Sequence, residues 1–443
     1  MSIFRWTRQI FISEAGVQLR HQLRHWIPKI GYSIADQGFI SGANFVLNIL
    51  LAKWILPDEY GLFGITFSLF LFLSGFHNAL LIEPLVVIGP ARYGSQTARY
   101  LTMVVCLHLL FSLIITVLLL VAAPFIIGWQ TGLSLWMLVV VSISSFSILL
   151  FWLLRRAAYL EGNADLASRS SFFYLLTLLA GTFWFHQADW INVINAYLLM
   201  SAASLIAAGV LWYRLGINLK HLYPKDDQLT IQRVLVEHWQ YGRWIVAGTL
   251  AYSFSTLIYV PLVGAFAGLA ASGVLRAMQN LVQPVQQIIV ALSTFFVPWL
   301  SKQRNIRGND YPLQIFPKVL CVFVIIGIIF LLPIVLFGQE LVRFVYSNEY
   351  YYQYDWVLYY VAIAAIIQVM VYAIATIVRS IEYSNAIFWE EFAGACFVLT
   401  IGLLLIWKWG LAGVSVSLIG STISQVIVMV WLIHRRMHLA RTI

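Results

Sequence analysis

The sequence predicts an all-α polytopic membrane protein with about twelve transmembrane helices in two six-helix lobes. Three observations predict this class. Of the 443 residues, 61% are hydrophobic and 10% charged, whereas soluble domains are ~25% charged. Apolar stretches near the ~20 residues that cross a bilayer recur all along the chain, with no interval long enough for a separate soluble domain. Finally, the basic residues gather in alternate gaps between those stretches.

The apolar spans fall near 34–56, 61–83, 100–128, 133–154, 170–186, 192–213, 244–267, 272–299, 317–337, 356–378, 387–407 and 411–433. An even number puts both termini on one side of the membrane. With the N-terminus inside, 23 of the 27 Lys and Arg are cytoplasmic, and only Lys53, Arg276, Arg343 and Lys408 are not. This is the positive-inside bias, and it accounts for the net charge of +9 without invoking nucleic acid. The chain then divides into a cytoplasmic segment 1–30, an N-lobe 31–213, an inter-lobe loop 214–243, a C-lobe 244–433 and a tail 434–443.

The segment 1–30 mixes Phe4, Trp6 and Trp26 with Arg5, Arg8, Arg20, Arg24 and Lys29. That is the composition of an amphipathic helix on the cytoplasmic membrane surface, and it lacks the apolar core of a cleavable signal. The first span carries Gln37, Ser41, Asn44 and Asn48 at spacings that share one helix face. Apolar helices with one wet face line water-filled paths, because a polar group in hydrocarbon needs a partner or water. Lys53 reads as an interfacial anchor that can pair with Asp58 or Glu59.

Two carboxylates lie in apolar surroundings, Asp36 on the first span and Glu83 at the end of the second. Either can take a proton or hold Na⁺ during a transport cycle. His77, beside Glu83, reads as a structural residue. In the inter-lobe loop, residues 231–239 read as a short interfacial helix.

The eighth span places Arg276, Gln279, Gln283 and Gln287 one turn apart, with Pro284 loosening the backbone. A guanidinium followed by amides can hold a phosphate bidentately; the alternative is that Arg276, about one turn from the span's start, snorkels to the outer interface. The outer loop 338–355 holds Tyr346, Tyr350, Tyr351, Tyr352 and Tyr354, whose faces suit sugar rings. Glu390 and Glu391 open the eleventh span, where a helix N-terminus favours negative charge. Cys106, Cys321 and Cys396 are scattered through apolar spans, so neither a disulfide framework nor a metal cluster is expected. No catalytic motif is visible.

The halves echo one another. A shift of 212 residues lays Gly61 on Gly273, and Gln37, Ser41 and Asn44 on Thr249, Ser253 and Thr256. A protein built from two such repeats binds its cargo between them near the midplane.

The run from Ala52 to Phe63, centred on Pro57-Asp58-Glu59-Tyr60-Gly61, resembles the loop after the first helix of polysaccharide (O-antigen type) flippases. These belong to the multidrug/oligosaccharidyl-lipid/polysaccharide (MOP) exporter superfamily. Leu81 to Pro90 is similar to the end of their second helix, and Ala271 to Pro298 to their eighth. The resemblance implies a V-shaped pair of lobes with alternating access in a bacterial cytoplasmic (inner) membrane. The cargo would be an oligosaccharide on a polyprenyl diphosphate, passed to the outer leaflet for polysaccharide export and lipopolysaccharide assembly. Arg276 would hold the diphosphate, with Gln279, Gln283, Gln287, Gln37, Asn44 and Asn48 along the path. Asp36 and Glu83 would couple the cycle to H⁺ or Na⁺, with no other cofactor. The partners implied are membrane lipids, a polysaccharide polymerase and glycosyltransferases, and the scarcity of buried basic residues fits a neutral glycan.

Two other readings compete. A cation or drug antiporter of the same superfamily suits Asp36 but not the Pro57–Gly61 link. A membrane glycosyltransferase or polysaccharide ligase needs a substantial outer loop with catalytic groups, and 338–355 offers little room.

Overall fold

Polar caps, prolines and left-handed glycines cut the chain into rods. The computed structural model describes residues 14–129, 132–218, 220, 229–308, 311–346, 348–383 and 385–441. The first part of the expected 1–30 segment, the middle of the 214–243 loop and the end of the tail lie outside these residues. Every regular element among the described residues is helical.

The first six rods are α1 (Glu14–Trp54), α2 (Pro57–Tyr93), α3 (Thr97–Trp129), α4 (Leu135–Leu160), α5 (Ala164–Gln187) and α6 (Val193–Arg214). Next come α7 (Ile231–Leu257, continuing after a 43° bend as Tyr259–Ala267), α8 (Leu269–Arg307), α9 (Phe316–Val345) and α10 (Trp356–Ser380). The last stretch, Asn385–Arg436 and beyond, breaks at Gly410 into α11 (385–409) and α12 (411–441). Gly410 stands at φ 54°, a left-handed geometry that glycine adopts without a Cβ penalty.

Among the described residues nine helices are long and apolar enough to cross a membrane, and the bent α7 makes a tenth. α5 has the length but is more polar, because it turns Ser168, Ser170 and Ser171 into the lobe interior. With α5 counted and the last stretch divided at Gly410, the expected twelve rods are all present.

Helix starts follow local chemistry. Pro57 takes the first turn of α2, where its missing N–H costs nothing. Ser134, Asn192 and Thr230 cap α4, α6 and α7 by accepting free N–H groups of the first turn. The expected break between an interfacial helix at 231–239 and the seventh span is absent. Ile231–Tyr252 is one continuous helix; in its first turns His238 and Glu237 bond to α2, while Ile231, Leu235, Val236 and Trp239 stay exposed. Lys53 is exposed and forms no ion pair with Asp58 or Glu59. Asp58 has other work, described next.

The lobes α1–α6 and α7–α12 meet chiefly where α2 crosses α8. That crossing joins positions related by the 212-residue shift. A Cβ on Gly61 would lie 1.8 Å from the Leu269 carbonyl oxygen, and one on Gly273 would lie 2.6 Å from that of Pro57. Backbones can approach this closely only because both residues lack side chains. Asp58 Oδ1 then accepts the Ala270 N–H at 3.0 Å, satisfying a free donor at the start of α8. The internal echo is therefore a physical contact between the halves.

At the opposite, arginine-rich end, α7 closes on α2 and α3. Asn78–Ile82 forms a π-helical turn in α2, and the Leu80 carbonyl accepts a hydrogen bond from His238 Nδ1 at 2.9 Å. His238 Nε2 meets the Tyr100 hydroxyl at 2.8 Å. Glu237 accepts from Tyr93 at 2.7 Å and pairs with Arg92 at 3.0 Å and Arg233 at 3.2 Å.

Candidate functional site

A cavity of about 340 Å³ opens among α7, α8, α10 and α12, with Ser68 and Leu71 of α2 closing one side. Its walls carry Arg276, Gln279, Gln283 and Gln287 from α8, together with Gln286 and Asn280 of the same helix. Gln368 of α10 and Gln425 of α12 complete the amides, and Tyr252, Tyr259 and Tyr372 supply aromatic surface. The four residues expected on one face of the eighth helix thus share this chamber.

Arg276 is the single charged residue of the lining. Its side chain is 9% exposed, and no carboxylate among the described residues lies within ion-pair distance. Its described partners are neutral. Asn48 Oδ1 accepts from Nε at 3.4 Å and Nη2 at 3.3 Å, and the guanidinium lies over the Phe67 ring at 4.7 Å. Gly64 makes room for it, since a Cβ there would come within 3.3 Å of Arg276 Cβ and Cγ. A buried charge without a counter-ion is costly, so this geometry favours an anion arriving from the cavity.

The closed end above Arg276 is aromatic. Tyr60 accepts a hydrogen bond from Asn280 at 2.9 Å, its ring meets Tyr351 edge-on, and the Tyr346 hydroxyl donates to the Ala277 carbonyl at 2.9 Å. Tyr346 and Tyr351, expected to offer faces to sugar, are wholly buried in this plug. Their reach back onto α8 explains the difference: the loop folds inward instead of standing in solvent.

The polar residues expected on the first helix do not line the cavity. Asn48 reaches it through Arg276 alone. Asn44 Oδ1 accepts from Tyr174 of α5 at 3.0 Å, and Gln37 is exposed and donates to Ser41 at 3.1 Å. Asp36 is buried inside the N-lobe, where it pairs with Arg155 at 3.3 Å and accepts from Tyr159 at 2.6 Å and from Ser171. Glu83 is half-buried and accepts from Asn78 at 3.3 Å. His77 is buried and meets His108 at 3.0 Å.

Glu390 and Glu391 have a different setting from the exposed helix start expected of them. Glu390 is 3% exposed, and its Oε1 has no hydrogen-bond partner. Glu391 accepts from Ser255 at 2.5 Å and Gln425 at 3.2 Å, and both donors line the cavity. A π-helical turn at Ser253–Leu257 marks the point on α7 where Ser255 meets α11. The signals for this missed pair were the lone amide Gln425 in an apolar helix and the Ser253-Phe254-Ser255-Thr256 run, whose hydroxyls need acceptors.

No curated protein matches the chain by sequence. Among solved structures, the chain superposes on a lipid II flippase, MurJ, in an inward closed conformation, at TM-score 0.73 and 15% identity, covering 91% of this chain and 87% of that one. An inward-facing multidrug resistance MATE family transporter of the MOP superfamily gives TM-score 0.72 at 14% identity, covering 93% and 99%. A MATE transporter of Vibrio cholerae gives 0.61 at 14% identity, covering 94% and 97%. The fold is accordingly that of the MOP superfamily. A family model described as polysaccharide biosynthesis protein matches residues 28–303, more than half of the chain, and the chain belongs to that family.

Proposed function

We propose that this protein flips a polyprenyl-diphosphate-linked oligosaccharide from the cytoplasmic to the outer leaflet of a bacterial inner membrane, for polysaccharide export. The arginine-rich end, with both termini, is cytoplasmic in this reading. The closed α2/α8 end is the outer one. The carrying observation is Arg276: a buried cation without a carboxylate partner, at the closed end of an amide-lined chamber. A diphosphate matches a guanidinium in charge and in bidentate geometry. The MurJ likeness supports a lipid-linked cargo, and the family supports a polysaccharide context. Glycosyltransferases would supply the cargo and a polymerase consume it, while this chain makes and breaks no covalent bond.

The cycle's H⁺ or Na⁺ is assigned to Glu391, whose Ser255 and Gln425 donors line the cavity, with Glu390 buried next to it in sequence. Asp36 is the second candidate, and a cation there competes with Arg155. Glu83 is the third. Glu391→Gln and Asp36→Asn, each assayed for gradient-driven transport, separate the first two.

Arg276→Ala is expected to abolish complementation of a deletion strain at normal membrane levels, with partial recovery in Arg276→Lys. Full complementation by Arg276→Ala removes the diphosphate site. One observation favours a second reading, a cation or drug antiporter: the Glu391 carboxyl group bonded to the cavity wall. Extrusion of cationic dyes that is lost in Glu391→Gln and kept in Arg276→Ala would select it.

A further inference from the structure

The chamber has a chemical character that the diphosphate alone does not explain. Six glutamines face it: Gln279, Gln283, Gln286, Gln287, Gln368 and Gln425. Along α8 the polar positions from Arg276 to Gln287 extend about 16 Å at the helical rise, longer than a single sugar. Each carboxamide offers both donors and an acceptor, the complement of sugar hydroxyls and acetamido groups. The lining tyrosines add flat faces for sugar C–H surfaces. No lysine, arginine or histidine other than Arg276 lines the chamber among the described residues. Behind Ser255 and Gln425 stands Glu391. A sugar carboxylate along the amides of this chamber would lose its water, find no cation beyond Arg276, and approach the Glu391 carboxyl group.

We propose that this amide rail is the glycan subsite of the transporter, and that it selects neutral and N-acetylated sugars against uronic and other acidic sugars. The assignment rests on the flippase reading and extends it from the lipid diphosphate to the sugar. The C-lobe holds the sugars along α8, α10 and α12, while Arg276 at one end holds the diphosphate. Selection is two-sided. Amides reward hydroxyl and acetamido groups, and the absence of any cation beyond Arg276 penalises a carboxylate.

The test measures binding to the full-length protein in lipid nanodiscs with three probes. These are polyprenyl diphosphate bearing an N-acetylhexosamine–hexose disaccharide, the same lipid with a uronic acid as second sugar, and sugar-free polyprenyl diphosphate. The neutral disaccharide is expected to bind about tenfold tighter than the uronate. Gln283→Ala with Gln287→Ala is expected to lower affinity for the neutral disaccharide about tenfold while leaving the sugar-free probe unchanged. Gln287→Lys is expected to raise affinity for the uronate. Equal affinity for the two disaccharides, or a double variant that binds the neutral one like the parent protein, overturns the subsite and leaves the flippase reading standing. Failure to bind any probe, including the sugar-free lipid, overturns both.

Discussion

The contact of Gly61 with Leu269 gives the most direct mechanical prediction. An alanine at position 61 places a Cβ 1.8 Å from a backbone oxygen. Backbone cannot swing aside as a side chain can, so α2 and α8 must part by about 1.5 Å to restore ordinary contact. Overpacking of this kind costs ~1–3 kcal/mol. The penalty exists only while the outer end is closed, whereas the better helix propensity of alanine acts in every state and cancels. A bias of ~2 kcal/mol shifts the closed-to-open ratio by about thirtyfold. Ser68→Cys, isosteric and facing the cavity from α2, reports the opening. In cells lacking the three native cysteines, a membrane-impermeant maleimide applied outside should label this reporter at least tenfold faster with Gly61→Ala. Gly64→Ala is the milder comparison on the same helix, expected to raise labelling less. Its Cβ would come 3.2–3.3 Å from side-chain atoms of Val260 and Arg276, which need shift only a few tenths of an ångström. Unchanged labelling and unchanged thermal stability in Gly61→Ala would refute the claim that this crossing is the outer seal.

Further predictions concern the lobe interior and the basic end. Asp36→Ala strands the buried Arg155 and is expected to cost ~3–5 kcal/mol, read as lost membrane protein and a lower Tm; Asp36→Ala with Arg155→Met should recover much of it. Gly242→Ala puts a Cβ 2.5 Å from the Ala79 carbonyl oxygen, so it should loosen α7 from α2, seen as faster proteolysis or labelling from the cytoplasmic side. Glu237→Gln should lower stability by less than ~1 kcal/mol, because Arg92 and Arg233 are more than half exposed and water screens both pairs. A larger change in Tm would mean that Glu237 holds the basic end closed.

The fold was largely legible because bilayer chemistry leaves so few options. Apolar length, basic gaps and the Pro57 interruption mark the rods directly. The relation between Gly61 and Gly273 was legible as a repeat, although its meaning as a contact was not. The cavity face of α8 could be read because Arg276, Gln279, Gln283 and Gln287 belong to one helix, where spacing alone fixes a face. Partners on different helices could not be read that way. Asp36 meets Arg155, and Glu391 meets Ser255 and Gln425, only through the packing of helices far apart in sequence. Glu390-Glu391 resembles an exposed helix start because local sequence cannot show that neighbouring helices cover it. The run 231–239 reads as a separate helix because its amphipathic pattern differs from the apolar span that follows, although one continuous helix carries both.

The account's central claim is that the cargo is a lipid-linked oligosaccharide moved between leaflets, and lipid analysis of a deletion strain tests it most directly. The account predicts that complete polyprenyl-diphosphate oligosaccharide accumulates in the inner leaflet, where added glycosidases cannot reach it, until the gene is restored. Unchanged lipid-linked sugar, or complete units already exposed on the outer leaflet but unpolymerised, would contradict it.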